Sequence, residues 1–346
     1  MNNAYYLNCH SYFSLRYGSL SPEQLVDLAR SHEIEALALT DIHSTAACFP
    51  FIKACQESGI HPVVGMEFRN GDELLYVALA ENLDGFQEIN EFYSRYQERG
   101  DAFPELPPYW SHVFIVYPWE RRDKVSLSER EFLGVASDQL GQLLRSRYRH
   151  RQQQLVIWQP VSFADKKGHN VHRLLRAIDH NLLLSKLQNR QQAHSREQFV
   201  APAAVAESFS AYPQLIANTQ RLLAACQVSF RFGQNHSRQS FTGDKYDDML
   251  LLDKLAREGV ERRYHPTARK TAYERLNREL AVIDRLDFNA YYLITWDFVT
   301  YGQSRGFFHV GRGSGANSLV AYCLGLSDVD PITSSATGRP AGLWPR

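Results

Sequence analysis

The sequence predicts an α/β protein with a barrel-like first part and a helical second part. About seven strand-and-helix units recur over roughly the first 200 residues, and this alternation is typical of a parallel α/β domain. From about Ala203 onwards the apolar residues recur at helical spacing instead. An open, doubly wound sheet competes with the barrel for the first part, because periodicity alone does not separate the two topologies.

Short apolar runs mark the strands, and clear start and stop signals mark two helices between them. Ser21 is expected to cap the first helix, with Pro22 at its first position and Gln24 completing a capping box. Gly59 is expected to end the second helix in a left-handed conformation. The predicted strands are residues 5–7, 36–39, 61–64, 74–79, 113–116, 133–136 and 155–158.

Composition narrows the class of protein further. The 346 residues hold 38 Lys and Arg against 38 Asp and Glu, which excludes a uniformly basic nucleic-acid coat and an acidic disordered tail. At about 150 residues per domain, this length predicts two folded domains. The five cysteines form no CxxC pair, so we expect reduced thiols. With no secretory leader and no apolar run of about 18 residues, the expected compartment is the cytoplasm.

Imidazole and carboxylate groups follow the first three predicted strands. His10 follows the first strand, Asp41 the second and Glu67 the third. In a βα barrel, residues after successive strands meet at one rim, and such groups together are typical divalent-metal ligands. Each residue also has an ordinary structural interpretation, since Asp41 alone would serve as a helix cap.

The order of these residues resembles the PHP domain, the polymerase and histidinol phosphatase family. That family has HxH, TDH and GxE elements after its first three strands, and the resemblance implies a distorted seven-stranded barrel with metal-dependent phosphoesterase chemistry. Here Asn8 stands in place of the first His and Ile42 in place of the His of TDH. Ser162 lies where a later DxH element would end. We therefore expect the site of His10, Asp41 and Glu67 to be weak or empty, without a Zn²⁺ or Mn²⁺ ion.

A glycine-rich loop is the second informative motif. The residues 307–310, FFHV, are predicted to form a strand, and 316–324 a helix. Between them lie Gly311, Arg312, Gly313 and Ser314. Glycines let the backbone approach a phosphate closely, a helix N-terminus adds positive charge, and arginine binds phosphate oxygens through two donors. A tight turn with glycines needed only for its geometry is the competing interpretation.

The run 290–332 around this loop resembles the start of the palm in bacterial replicative DNA polymerases of the C family. The resemblance implies that Gly311, Arg312, Gly313 and Ser314 bind the triphosphate of the incoming nucleotide. It also implies nucleotidyl transfer in DNA replication with two Mg²⁺ ions, held by aspartates of a PDxDxDF element. That element is expected beyond the end of this sequence, so the chain alone is expected to be inactive and to contain no catalytic residue.

The same resemblance predicts the domain organisation and the partners. Residues 1–235 are expected to form the PHP barrel with trailing helices, 236–332 the start of the palm, and 333–346 a tail unrelated to the family. The expected partners are DNA primer-template, deoxynucleoside triphosphate, a proofreading exonuclease subunit and a sliding clamp, with no membrane. Two alternative functions remain open: a PHP phosphoesterase or 3′–5′ exonuclease, and a non-catalytic platform that docks a proofreading subunit.

Overall fold

The first unit of the chain, Met1–Phe232, is built on a seven-stranded sheet whose strands lie in chain order. A computed structural model describes residues 3–233 and 239–333. The strands are β1 (Tyr6–Cys9), β2 (Ala36–Leu39), β3 (His61–Asn70), β4 (Glu73–Ala80), β5 (Val113–Pro118), β6 (Glu131–Val135) and β7 (Leu155–Ile157). The helices are α1 (Pro22–Ser31), α2 (Cys48–Ser58), α3 (Leu83–Arg99), α4 (Leu140–Leu143), α5 (Lys166–Asp179), α6 (Pro202–Ser208) and α7 (Pro213–Ala225).

The sheet is mixed, and this differs from the all-parallel pattern that the sequence suggests. Strand β4 runs antiparallel to both β3 and β5, whereas the other neighbouring pairs are parallel. The reason is local, because only Gly71 and Asp72 separate β3 from β4. Two residues, with Gly71 at φ 58°, make a hairpin turn and leave no room for a crossover helix.

The two edges of the sheet meet at one end, which gives the distorted barrel that the sequence predicts. Val161, just after β7, forms a parallel bridge with Cys9 of β1. The backbone N–H of His10 donates to the Val161 carbonyl at 2.8 Å, and the N–H of Val161 donates to the Asn8 carbonyl at 2.9 Å. The residues that follow β1, β2 and β3 are therefore drawn together at this end.

The second unit, Gly233–Arg346, is helical in its described part. Its helices are α8 (Lys245–Arg263), α9 (Pro266–Arg285), α10 (Asn289–Ser304) and α11 (Leu319–Cys323), with a 3₁₀ turn at Ser314–Asn317. Their apolar faces share one core that includes Leu252, Leu276, Leu293 and Leu319. This core fixes the position of the segment that carries the glycine-rich loop.

The predicted strand and helix around the glycine-rich loop are both corrected. Residues 307–310 form no strand, because no other strand of the described second unit lies beside them. Phe308 and Val310 are fully or largely exposed. The predicted helix 316–324 is instead a 3₁₀ turn followed by the short α11. Ser318 separates the two, because its extended backbone (φ −78°, ψ 133°) interrupts the helix and its hydroxyl caps α11.

Two predictions fall wholly or partly outside the described residues. The predicted boundary between residues 235 and 236 lies in the undescribed stretch 234–238, and all but the first residue of the predicted tail 333–346 lies beyond the described range. Among the described residues, no helix is long and apolar enough to cross a membrane.

Candidate metal and nucleotide sites

His10 and Glu67 meet at the closed end of the barrel, as the sequence predicts. Both are fully buried, and the Nε2 atom of His10 lies 3.1 Å from Oε2 of Glu67. The amide of Asn8 donates to the same oxygen at 2.7 Å, and Asn8 in turn accepts from the Thr40 hydroxyl at 2.7 Å. The Asn that replaces a family histidine is thus a hydrogen-bond partner of the carboxylate.

Arg69 is the residue that the sequence analysis missed at this site. Its Nε donates to Oε1 of Glu67, and its guanidinium lies 4.4 Å from the ring centroid of Tyr17. Burial alone would raise the pKa of Glu67, but Arg69 and then His10 lower it to about 2. Arg69 had no strand signal in the sequence, because the predicted third strand ends at residue 64, whereas the observed β3 continues to Asn70.

Six side chains close a ring of polar contacts around the predicted metal position. His10 Nδ1 lies 2.7 Å from the Ser162 hydroxyl, which donates to Glu197 at 2.6 Å. Tyr17 also donates to Glu197, at 2.9 Å, and Arg69 donates to the Tyr17 oxygen at 3.1 Å. We call this set the ring network; its members are Tyr17, His10, Glu67, Arg69, Ser162 and Glu197.

Hydrogen bonds connect the ionisable side chains of the ring network to one another. Ser162 gives its one proton to Glu197, so Nδ1 of His10 donates to Ser162. On the other side of the imidazole ring, Nε2 lies 3.1 Å from the Glu67 carboxylate. Burial raises the pKa of Tyr17, which keeps the phenol neutral. The buried Glu67 carboxylate therefore faces the Arg69 guanidinium.

Asp41 lies near this network, but its hydrogen bonds go to Ser11 and Ser14. One carboxylate oxygen accepts from the Ser11 N–H and the Ser14 hydroxyl, both at 2.6 Å, and the other accepts from the Ser11 hydroxyl at 2.6 Å. Burial raises the pKa of Asp41 in spite of these donors. Asp41 thus holds the loop after β1 against the end of β2.

His43, one position beyond the family's ligand, is also directed elsewhere. Its backbone has φ 51°, and its Nε2 accepts from the N–H of Arg69 at 2.9 Å. The ring lies among aromatic side chains, 4.9 Å from Phe103, and burial lowers its pKa. His43 therefore does not replace the missing ligand.

The residues present do not fit a divalent metal ion at this site. Within residues 3–233 and 239–333, no group of three or more His, Cys, Asp or Glu side chains is arranged to hold one. The donors that remain, His10 and Glu67, are both engaged by protein partners.

The paired Glu67 predicts a specific dependence of stability on pH. We expect Glu67→Gln to lower the free energy of unfolding by about 3 kcal/mol at pH 7, because Arg69 loses its buried partner. Since Glu67 has a pKa of about 2 when folded and 4.5 in its reference state, the wild-type advantage should be present above pH 4.5. It should shrink as the pH falls towards 2.

Urea unfolding between pH 7 and pH 3 measures this effect, with the exposed Glu57→Gln as control. A difference between wild type and Glu67→Gln that is as large at pH 3 as at pH 7 would contradict the pairing with Arg69.

The glycine-rich loop lies on the surface of the second unit. Arg312, Gly313 and Ser314 are exposed, and Gly311 is partly exposed. Gly313 has φ 77°, a conformation that side chains with a Cβ rarely adopt. A Cβ on Gly311 would lie 2.9 Å from the Leu326 carbonyl oxygen. Both glycines are thus needed for this backbone path.

Arg312 has no hydrogen-bond or ion-pair partner within the described part of the chain. Its guanidinium is therefore available to a ligand. The two aspartates after α11, in contrast, have partners within the protein. Asp328 pairs with Arg263 at 3.2 Å, and Asp330 accepts from the Tyr264 and Thr333 hydroxyls. Burial would raise the pKa of Asp330, but these hydrogen bonds outweigh it and lower the pKa.

The N-terminus of α11 is already neutralised by a side chain from α9. Oε2 of Glu279 accepts from the Ser318 hydroxyl at 2.8 Å and from the N–H groups of Leu319 and Val320 at 2.7 and 3.2 Å. Glu279 in turn pairs with Arg275 at 2.9 Å. A phosphate would therefore meet the loop backbone and Arg312, and not the end of this helix as the sequence suggests.

An open cavity of about 740 Å³ lies beside the loop within the second unit. Ser314 and Gly315 form one wall, and Arg278, Tyr291 and Tyr292 contribute to the others. Its surface is largely apolar, with Arg278 and Ser314 among the polar groups at its border.

Comparison with known proteins finds similarities for both units. The family model "PHP domain" matches residues 7–156, and the model "Bacterial DNA polymerase III alpha NTPase domain" matches residues 250–337. The DNA polymerase III alpha subunits of Halalkalibacterium halodurans and Escherichia coli (strain K12) are 28% and 29% identical over 94% of this chain. The error-prone DNA polymerase of Pseudomonas fluorescens is 26% identical over 95% of it.

These relatives are much longer than the chain, which covers 32%, 32% and 34% of their lengths. The fold and the two matched models define a PHP-type barrel followed by a polymerase III alpha NTPase region. The chain is similar to bacterial DNA polymerase III alpha subunits, and it spans about a third of the length of the relatives it matches.

Proposed function

We propose that this chain is part of a DNA-directed DNA polymerase and that residues 311–314 bind the triphosphate of the incoming nucleotide. The observation that carries the proposal is the exposed, glycine-shaped loop with an unpaired Arg312, inside the region that matches the polymerase III alpha model. Backbone N–H groups and a guanidinium are the donors that phosphate oxygens prefer.

In this proposal the loop orients the triphosphate. Glu67 and Glu197, the carboxylates of the ring network, take no part. Magnesium ions, when held by acids of the polymerase, would activate the primer hydroxyl and stabilise the leaving pyrophosphate. Asp328 and Asp330 are engaged within the protein, so we do not assign them to this role. DNA primer-template, a proofreading exonuclease subunit and a sliding clamp remain proposed partners.

Arg312→Ala tests the proposal directly. We expect the dissociation constant for a deoxynucleoside triphosphate to rise about tenfold to a hundredfold, because charge-assisted hydrogen bonds to phosphate contribute about 1.5–3 kcal/mol. Isothermal titration calorimetry measures the change. Arg285→Ala, another exposed arginine of the same unit, is the control and should bind like the wild type.

Equal nucleotide affinity in Arg312→Ala and the wild type would contradict binding by this loop. The second readout is primer extension, for which we expect no product from the chain alone. Template-directed synthesis by the purified chain would show that the acids needed for catalysis lie within these 346 residues.

The hydrolase alternative is disfavoured by the ring network. A PHP phosphoesterase requires ligands that are free to bind metal, whereas Glu67 and His10 are held by Arg69, Asn8 and Ser162. The docking alternative rests on family resemblance alone and stays a prediction.

A further inference from the structure

We propose that the guanidinium of Arg69 is a built-in cation that takes the place of a divalent metal ion in this barrel. PHP barrels are expected to bind metal at this end of the sheet, whereas the residues present here do not fit a metal ion. The positive charge is nevertheless present at this end of the sheet, supplied by a side chain.

The position of Arg69 follows from the sheet. Glu67 and Arg69 lie two residues apart on β3, where the pairing with β4 changes register, and Nε of Arg69 donates to Oε1 of Glu67. The Arg69 side chain is 11% exposed and that of Glu67 is completely buried. A buried carboxylate without a partner is strongly unfavourable, so an adjacent cation is required here.

The contacts of Arg69 resemble those of an ion shared among ligands. Its Nε binds Glu67, one terminal nitrogen binds the Tyr17 oxygen at 3.1 Å, and the plane covers the Tyr17 ring. Through Tyr17 it reaches Glu197, a residue from the segment after α5. Arg69 thus connects Glu67 of β3 with Tyr17, which follows β1, and through Tyr17 with Glu197. A metal ion bound in a barrel connects distant segments in the same way.

Ser162 holds His10 on the side of the ring network opposite Arg69. It lies where the family's later metal-binding element would end, and it connects His10 to Glu197 by contacts of 2.7 and 2.6 Å. The groups that would be metal ligands are consequently ligands of one another and of Arg69. The barrel should therefore be stable without metal.

Metal titration of the full chain tests this proposal in the wild type. We expect mass spectrometry of the native protein in zinc chloride or manganese chloride to find no stoichiometric ion. The unfolding temperature should be the same with either salt and with EDTA. One zinc ion per chain that is lost in His10→Ala would overturn the proposal.

Arg69→Ala provides the complementary test. Removal of one partner of a buried ion pair should lower the unfolding temperature by roughly 10 °C. Zinc chloride should then raise the unfolding temperature of this variant, because a ligand that binds only the folded state stabilises it. The rise should disappear in Arg69→Ala/Glu67→Gln.

Two further variants keep the result interpretable. Arg30→Ala, which removes an exposed ion pair with Asp27, should leave the unfolding temperature within about 2 °C of the wild type. Arg69→Lys keeps the charge and should be more stable than Arg69→Ala, and it allows the measurement if the alanine variant does not fold. An alanine variant that unfolds at the wild-type temperature, or that zinc does not stabilise, would refute the built-in cation.

Discussion

Gly259→Val is expected to lower the free energy of unfolding of the second unit by more than about 4 kcal/mol. A Cβ at Gly259 of α8 would lie 2.3 Å from the carbonyl oxygen of Cys323 and 2.6 Å from its Cβ, at the end of α11. The nearest atom belongs to the backbone, so no side chain can turn aside. The two helices would have to separate, with loss of packing around Leu319 and Val320.

The displacement should also reach the glycine-rich loop. Residues 311–314 precede α11, and Gly311 packs against the carbonyl of Leu326 just beyond it. Movement of α11 therefore disturbs both ends of the loop. We expect weaker nucleotide binding in Gly259→Val even though this residue lies outside the loop.

Urea unfolding measures the loss, and hydrogen exchange of peptides from α8 and α11 locates it. Gly302→Val is the matched control, because Gly302 lies in α10 and a Cβ added there would have no neighbouring atom within 4 Å. Valine there should change stability by only a few tenths of a kcal/mol. If both valine variants unfold at the same urea concentration, this result would contradict the close contact between α8 and α11 at Gly259.

The features that the sequence predicts best are those set by neighbouring residues. The capping box is present, with the Ser21 N–H donating to Gln24 Oε1 at 2.9 Å and the Gln24 N–H donating to Ser21 Oγ at 3.0 Å. Gly59 ends α2 at φ 69°, as expected. In each case the signal and the structure lie within a few positions of one another, so tertiary packing need not be known.

The candidate sites were predicted less completely, because their partners are distant in the chain. Nothing near His10 indicates that Glu197 approaches it, and nothing near Ser318 indicates that Glu279 caps α11. The sequence identifies His10, Asp41 and Glu67 as a group by their order after the strands. It does not give the hydrogen-bond partners, which join His10 to Glu67 and Asp41 to Ser11.

Asp41→Ala is expected to lower the free energy of unfolding of the first unit by about 4 kcal/mol. The carboxylate accepts three hydrogen bonds from Ser11 and Ser14, and all three residues are buried. Alanine would leave these donors without an acceptor, and each buried donor without a partner costs about 1–3 kcal/mol. Ser14 would also be less well placed to accept from the Ile42 N–H, a bond of 3.0 Å.

The same variant separates a structural role for Asp41 from a metal-binding one. Because Asp41 supports the loop after β1 and makes no contact with the ring network, its loss should destabilise the protein equally in zinc chloride and in EDTA. Asp27→Ala, at an exposed ion pair, should change stability by less than about 0.5 kcal/mol. A cost for Asp41→Ala that is large in zinc chloride but absent in EDTA would instead identify Asp41 as a metal ligand.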